Sequence, residues 1–254
     1  MGAIRLLKGE TIVPSFDENG LSRVPLMPDA NEEAKLFECA LQKGKTWQPP
    51  LYGAGEKIQM FFFTAGSGYV TTETRAWNIA QGVFIPDYDR EKVAIHAGTE
   101  EVRFLQIIGD LDDYDRMTMA RYCVKFPRFR RFEDCVQYTE GFTGDAGSNV
   151  TSRLLLEGRH CGRWSMGWNH GIGPSFIGQH IHPHLLQWYY VLPDGFFTYL
   201  ADGKEEDMGP GSLSYTEKNT WHGSKTDAGK NINYIWLELA PDGYPEGPDG
   251  FPGL

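Results

Sequence analysis

Short runs of aromatic and β-branched residues, cut at regular intervals by glycine or charged turns, recur along most of this chain. They cover residues 58–65, 68–77, 82–87, 92–97 and 102–109, then 152–158, 162–168, 186–192, 195–201, 211–216 and 231–240. Such residues suit a pleated, half-buried surface. Their even spacing predicts a sandwich or barrel rather than a parallel sheet with crossover helices, so the expected fold class is all-β. Two segments predict helices, 32–44 and 110–122, and ADGKEED at 201–207 reads as a hairpin turn.

A length of 254 residues provides for two barrels of about 100 residues each. The 24 basic and 34 acidic residues leave a formal charge of −10, which argues against nucleic acid or an anionic membrane as a partner. The basic cluster at 121–132 reads as interdomain packing or a salt-bridged surface. No N-terminal apolar segment and no run of 18 apolar residues is present, so neither secretion nor a membrane span is expected, and the cytoplasm is the default location. Cys39, Cys123, Cys135 and Cys161 are widely spaced without a C-x-x-C pair, which predicts reduced thiols.

Chemistry concentrates in GQHIHPHLLQ, residues 178–187, and in His222. Histidines at i and i+2 of an extended segment share a face, so His180 and His182 reach one ion. With Gln187 and His222 they make an open site of three imidazoles and one amide oxygen for a first-row metal. His184 extends the pattern, but Pro183 interrupts a regular strand, so His184 is expected at the pocket rim.

These segments resemble the cupin superfamily. The first cupin motif is a glycine followed by H-x-H and, three or four residues on, Glu; here Gln187 stands at the Glu position. Gly211 and His222 keep the spacing of the second motif, with Glu217 and Asn219 where the family prefers Pro and Gly. The chain is also similar to a bicupin. Setting 55–68 against 182–195 places Gln59 opposite Gln187, Tyr52 opposite His180, Ala54 opposite His182, Gly82 opposite Gly211 and Val93 opposite His222. The resemblance thus implies two tandem cupin barrels: 1–120 a degenerate barrel without metal ligands, 121–150 a linker, 151–240 a metal-binding barrel, and 241–254 a Gly/Pro-rich tail. His96 lies off this register and reads as structural.

Among bicupins, SMG at 165–167, WYYV at 188–191 and NYIW at 233–236 resemble the 5-keto-4-deoxyuronate and 5-deoxyglucuronate isomerases. Ureidoglycine aminohydrolase is a second relative by architecture. The resemblance implies one divalent transition metal ion (Mn, Fe, Ni or Zn), a small polar or anionic substrate such as a sugar acid or keto acid, and a homo-oligomer. A neutral amide in place of Glu leaves such an ion its full +2 charge in the first shell, which suits a chelating anion. Glu238 and Tyr189 are the candidate proton carriers. His184, Arg163, Tyr234 and Trp236 are candidate substrate-binding residues. Three functions stay open: a Lewis-acid isomerase or related lyase or hydrolase, an iron(II) dioxygenase, and a non-catalytic binding cupin.

Overall fold

The computed structural model describes residues 5–139 and 149–245. Within these, two compact units emerge: Ile12–Arg116 with Cys123–Asp134, and Met1–Thr11, Met117–Tyr122 and Cys135–Leu254. The first strand, β1 (Arg5–Leu7), belongs to the second unit. The first unit takes β2 (Leu21–Leu26), β3 (Ala34–Leu41), β4 (Thr46–Trp47), β5 (Lys57–Ala65), β6 (Gly68–Thr71), β7 (Ala76–Asn78), β8 (Gly82–Ile85), β9 (Ala94–Ala97), β10 (Val102–Asp110) and β11 (Arg128–Arg131); helix α1 (Asp113–Arg121), between β10 and β11 in sequence, has residues in both units. The second unit continues with β12 (Val136–Tyr138), β13 (Val150–Cys161), β14 (Trp164–Ile172), β15 (Ser175–His180), β16 (Leu186–Val191), β17 (Phe197–Ala201), β18 (Lys204–Met208), β19 (Leu213–Thr216), β20 (His222–Thr226) and β21 (Asn231–Leu239).

Each unit holds one large and one small antiparallel sheet. The large sheets run β11-β8-β5-β10-β3-β2 and β1-β19-β16-β21-β14-β13-β12; the small ones run β4-β9-β6-β7 and β15-β20-β17-β18. The two orders correspond at six positions of the large sheets, β5 to β16 and β10 to β21 among them, and at all four of the small ones, while β12 has no counterpart. The chain is all-β, as its periodicity predicts, and α1 falls inside the expected 110–122.

Residues 32–44 are not the expected helix, because they contain the interior strand β3, bonded to β2 on one side and β10 on the other. Phe37, Cys39 and Leu41 pack into the core while Ala34, Leu36 and Ala40 are buried on the other face. Both faces of an alternating strand are therefore covered, and tertiary burial overrides the helix propensity of Glu, Ala, Lys and Leu. Residues 121–150 also do more than connect, since β11 pairs with β8 and β12 with β13.

The cores lie between large and small sheets. In the first unit Phe61, Phe63, Phe84 and Phe104, each at most 1% exposed, pack with Val70 and Ile95. Ring pairs such as Phe63 and Phe104, 5.6 Å apart, add to area burial worth roughly 1.5–3 kcal/mol per large apolar side chain. In the second, Tyr189, Val191, Tyr234 and Trp236 of the large sheet meet Ile177, Phe197, Tyr199 and Met208 of the small one. The expected hairpin at 201–207 joins β17 to β18 through Asp202 and Gly203, both at positive φ, as a two-residue turn requires. None of the four cysteines, all among the described residues, is in a disulfide. On the basic segment, Arg131 pairs with Asp134 at 2.9 Å and Glu133 at 3.6 Å. No helix among the described residues is long and apolar enough to cross a membrane.

Candidate metal centre

Strand pairing places two of the expected ligands side by side: His180 at the end of β15 and His222 at the start of β20 are cross-strand partners, after a register shift between Ile177 and His180. β15 ends at His180, so His182 lies in the following connection rather than on a strand. Its carbonyl accepts the Asn219 amide at 3.0 Å, which ties this loop to the one before β20. Asn219 adopts φ 63°, the left-handed region that glycine or asparagine tolerates, which accounts physically for Asn at the motif's glycine position.

The potential ligand atoms of His180, His182 and His222 all lie within 4.8 Å of one another. The Nδ1 atoms of His180 and His222 each face a backbone carbonyl at 2.8 Å, from Gly178 and Thr220. A carbonyl only accepts, so each Nδ1 carries the proton and each Nε2 keeps its lone pair, the arrangement of metal-ligating histidines. The Nε2 of His222 is buried with no hydrogen-bond partner. So is the Oε1 of Gln187, whose Nε2 donates to Glu238 Oε1 at 2.7 Å. Orphaned buried acceptors are costly, and a divalent cation at the three-histidine cluster would satisfy that of His222. The donor set of three imidazoles and one amide oxygen fits a first-row metal.

Burial lowers the pKa of all three histidines, His182 to about 4 and His222 to about 3, with His180 adding charge repulsion to each. Unfolding returns them to the ordinary value near 6.5. The unfolded chain therefore binds more protons between pH 6.5 and about 4, so folding stability in the metal-free protein is full above pH 6.5 and falls as pH drops through that window. We expect the melting temperature of chelator-treated protein to fall between pH 7 and 4.5, and less steeply in His182→Gln; identical slopes would remove His182 from this linkage.

A cavity of about 150 Å³ opens beside the cluster, lined by Tyr138, Asn169, Ile177, Gln187, Tyr189, Trp236 and Glu238 together with His180 and His182. Gln187 and Tyr189 share the inward face of β16, as strand parity predicts. Glu238 lies on β21 between Ser165 of β14 and Gln187 of β16 in register. Its Oε2 accepts from Ser165 Oγ at 2.9 Å, and its Oε1 lies 3.7 Å from His182 Nε2. Asn169 donates Nδ2 to the Tyr234 hydroxyl at 3.0 Å and leaves Oδ1 buried without a partner.

Not every expected residue reaches the cavity. Arg163 is buried, and its Nη1 donates to the Pro241 carbonyl at 3.3 Å. Tyr234 is fully buried beneath Tyr189, with ring centroids 4.3 Å apart, and it stands behind two lining residues, Tyr189 and Asn169. His184 is exposed, near Asp242, whose carboxyl is held low chiefly by Lys218 and more weakly by His184. Tyr138 and Ile177 line the cavity without having been singled out in the sequence. Period-two alternation sets Ile177 on the face opposite His180, so only the register shift between them accounts for its place in the lining, and no local signal marks Tyr138 on its three-residue strand.

In the first unit the equivalent row reads Lys35, Ile108 and Gln59. Gln59 is buried with both amide atoms unpartnered, and Val93 is core. His96 has Nδ1 3.0 Å from Thr46 Oγ1 and Nε2 3.0 Å from Thr71 Oγ1, which leaves neither ring nitrogen for an ion.

No family model matches the sequence, and no curated protein matches it. Solved structures are similar throughout. A glyoxylate-induced protein from Pseudomonas aeruginosa superposes with TM-score 0.73 at 12% identity, covering 94% of this chain and 89% of that one. An oxalate decarboxylase from Lactobacillus farciminis, solved as a formate complex, gives 0.70 at 11% identity over 95% and 87%. A cupin 2 conserved barrel domain protein from Leptotrichia buccalis gives 0.60 at 14% identity over 93% and 96%. Likeness of this extent at such low identity shows the fold, an all-β cupin fold.

Proposed function

We propose that this chain is a metal-dependent cupin enzyme that acts on a small, oxygen-rich carboxylate such as a keto acid or sugar acid. The observation that carries the reading is the pair of buried, unpartnered acceptors, His222 Nε2 and Gln187 Oε1, beside His180 and His182. A divalent ion held by these four residues supplies Lewis acidity toward a substrate carbonyl or carboxylate oxygen. A cavity of about 150 Å³ beside the cluster suits a small substrate.

The chain's own residues divide the remaining work. Asn169 Oδ1 accepts from a substrate hydroxyl, and Trp236 and Tyr138 wall the cavity. Burial, then the neighbouring tyrosines, hold the Tyr189 hydroxyl well above its ordinary pKa, so Tyr189 serves as a neutral donor rather than a base. Glu238 is the one carboxylate lining the cavity among the described residues, and it accepts the proton. These roles suit proton transfer beside a polarised carbonyl, as in an isomerase, and the same site suits a lyase step. Likeness to an oxalate decarboxylase supports that second chemistry on a small carboxylate.

Elemental analysis of metal-replete protein, followed by a turnover screen of keto acids, uronates and ureides under air and under argon, tests the reading. We expect about one equivalent of metal and turnover that does not depend on oxygen. Turnover confined to air would replace it with an oxygenase, and tight ligand binding without turnover would make the chain a binding protein.

A further inference from the structure

We propose that Gln187 and Glu238 act as one composite anionic ligand, and that Tyr244 in the C-terminal segment holds the pair in place through Ser165. The inference rests on the metal reading above and adds the site's charge balance. Gln187 taken alone puts a neutral group where a carboxylate would offset the ion's charge. β21 returns that charge from the neighbouring strand, because Glu238 faces Gln187 in register and accepts its Nε2 at 2.7 Å.

The amide can point only one way. A carboxylate beside the Gln187 oxygen would be two acceptors in contact, so Nε2 faces Glu238 and Oε1 is the buried atom left without a hydrogen-bond partner. Donation to a carboxylate pushes electron density onto the amide oxygen and makes it a stronger ligand. Glu238 Oε1 also lies 3.7 Å from His182 Nε2, so its charge borders the histidine cluster directly. The first unit provides the internal contrast: Ile108 stands where Glu238 does, and Gln59 has no partner for either amide atom.

The carboxylate is itself positioned from behind. Tyr244 donates its hydroxyl to Ser165 Oγ at 2.9 Å, and Ser165 donates to Glu238 Oε2 at 2.9 Å. Tyr244 is held against β13: the Arg159 guanidinium sits 4.6 Å from its ring centre, and a Cβ on Gly158 would come within 3.0 Å of its hydroxyl. Nearby, Ala240 and Pro241 bond to Arg163, and Lys218 pairs with Asp242 at 2.8 Å. The stretch from Ala240 to Tyr244 is thus a fixed support of the site, and Ser165 and Tyr244 are positioning residues for the Glu238 carboxylate.

Cobalt(II) or zinc(II) affinity by chelator competition, with cobalt ligand-field spectra, tests this on the full chain. Glu238→Gln is expected to weaken metal binding about tenfold or more, in the range seen for outer-sphere partners. The exchange Gln187→Glu with Glu238→Gln keeps one carboxylate and one amide in the pair, so it should recover affinity to within about threefold of wild type. Tyr244→Phe and Ser165→Ala should weaken binding about two- to fivefold and shift the cobalt bands, with circular dichroism unchanged. Unaltered affinity in Glu238→Gln, or a folded exchange variant as weak as that single variant, overturns the inference. Should the exchange variant not fold, unaltered affinity and spectra in both Tyr244→Phe and Ser165→Ala do the same. Absence of stoichiometric metal in the wild type overturns the metal reading itself, a result distinct from any of these.

Discussion

Replacing His182 with alanine is expected to abolish stoichiometric metal binding and to leave the fold intact. His182 stands in the connection after β15 with its side chain 24% exposed, so truncation opens little buried space and removes no strand hydrogen bond. The ligand set drops from four groups to three, and the loss should exceed the roughly 10–100-fold cost of deleting an outer-sphere partner. Chelator competition and metal analysis measure the loss, while circular dichroism and the melting curve check the fold. Full occupancy in the variant would falsify the assignment.

Gly167→Ala should destabilise the second unit by about 3 kcal/mol, at the upper end of overpacking effects. A Cβ at Gly167 would lie 2.1 Å and 2.3 Å from ring carbons of Trp236, its cross-strand partner. The indole is 7% exposed and helps line the cavity, so it cannot swing away without losing core contacts or filling the site. Urea unfolding with tryptophan fluorescence reads both effects. In a Trp236→Leu background the smaller side chain makes room, and the cost of Gly167→Ala should fall below about 1 kcal/mol if the clash is the cause. Equal costs in both backgrounds would place the strain elsewhere.

Much of the architecture is legible locally. Strands β5, β8, β10, β16 and β21 follow from runs of aromatic and β-branched residues, and Asp202 with Gly203 announces its hairpin. β3 is not legible, because its Ala, Leu, Glu and Lys favour a helix in isolation and only neighbours on both sides make it a strand. The segment 121–150 hides β11 and β12 for the same reason, as three or four residues carry too little pattern to outweigh noise.

His180, His182 and Gln187 could be read from the sequence because they sit within one short stretch, although His182 lies in the connection after β15, so the loop rather than period-two alternation brings it beside His180. His222 followed from a fixed spacing after Gly211. What surrounds those ligands depends on strand register between distant segments. Glu238 meets Gln187 across 51 residues and Ser165 across 73, and Tyr244 reaches Ser165 across 79. Local propensity holds no information about such pairings, since one residue of slip would turn Glu238 to the opposite face. The sequence by itself therefore determined a β-rich chain with a three-histidine cluster, while the tertiary structure decided that Arg163 and Tyr234 lie outside the cavity and that a carboxylate stands beside Gln187.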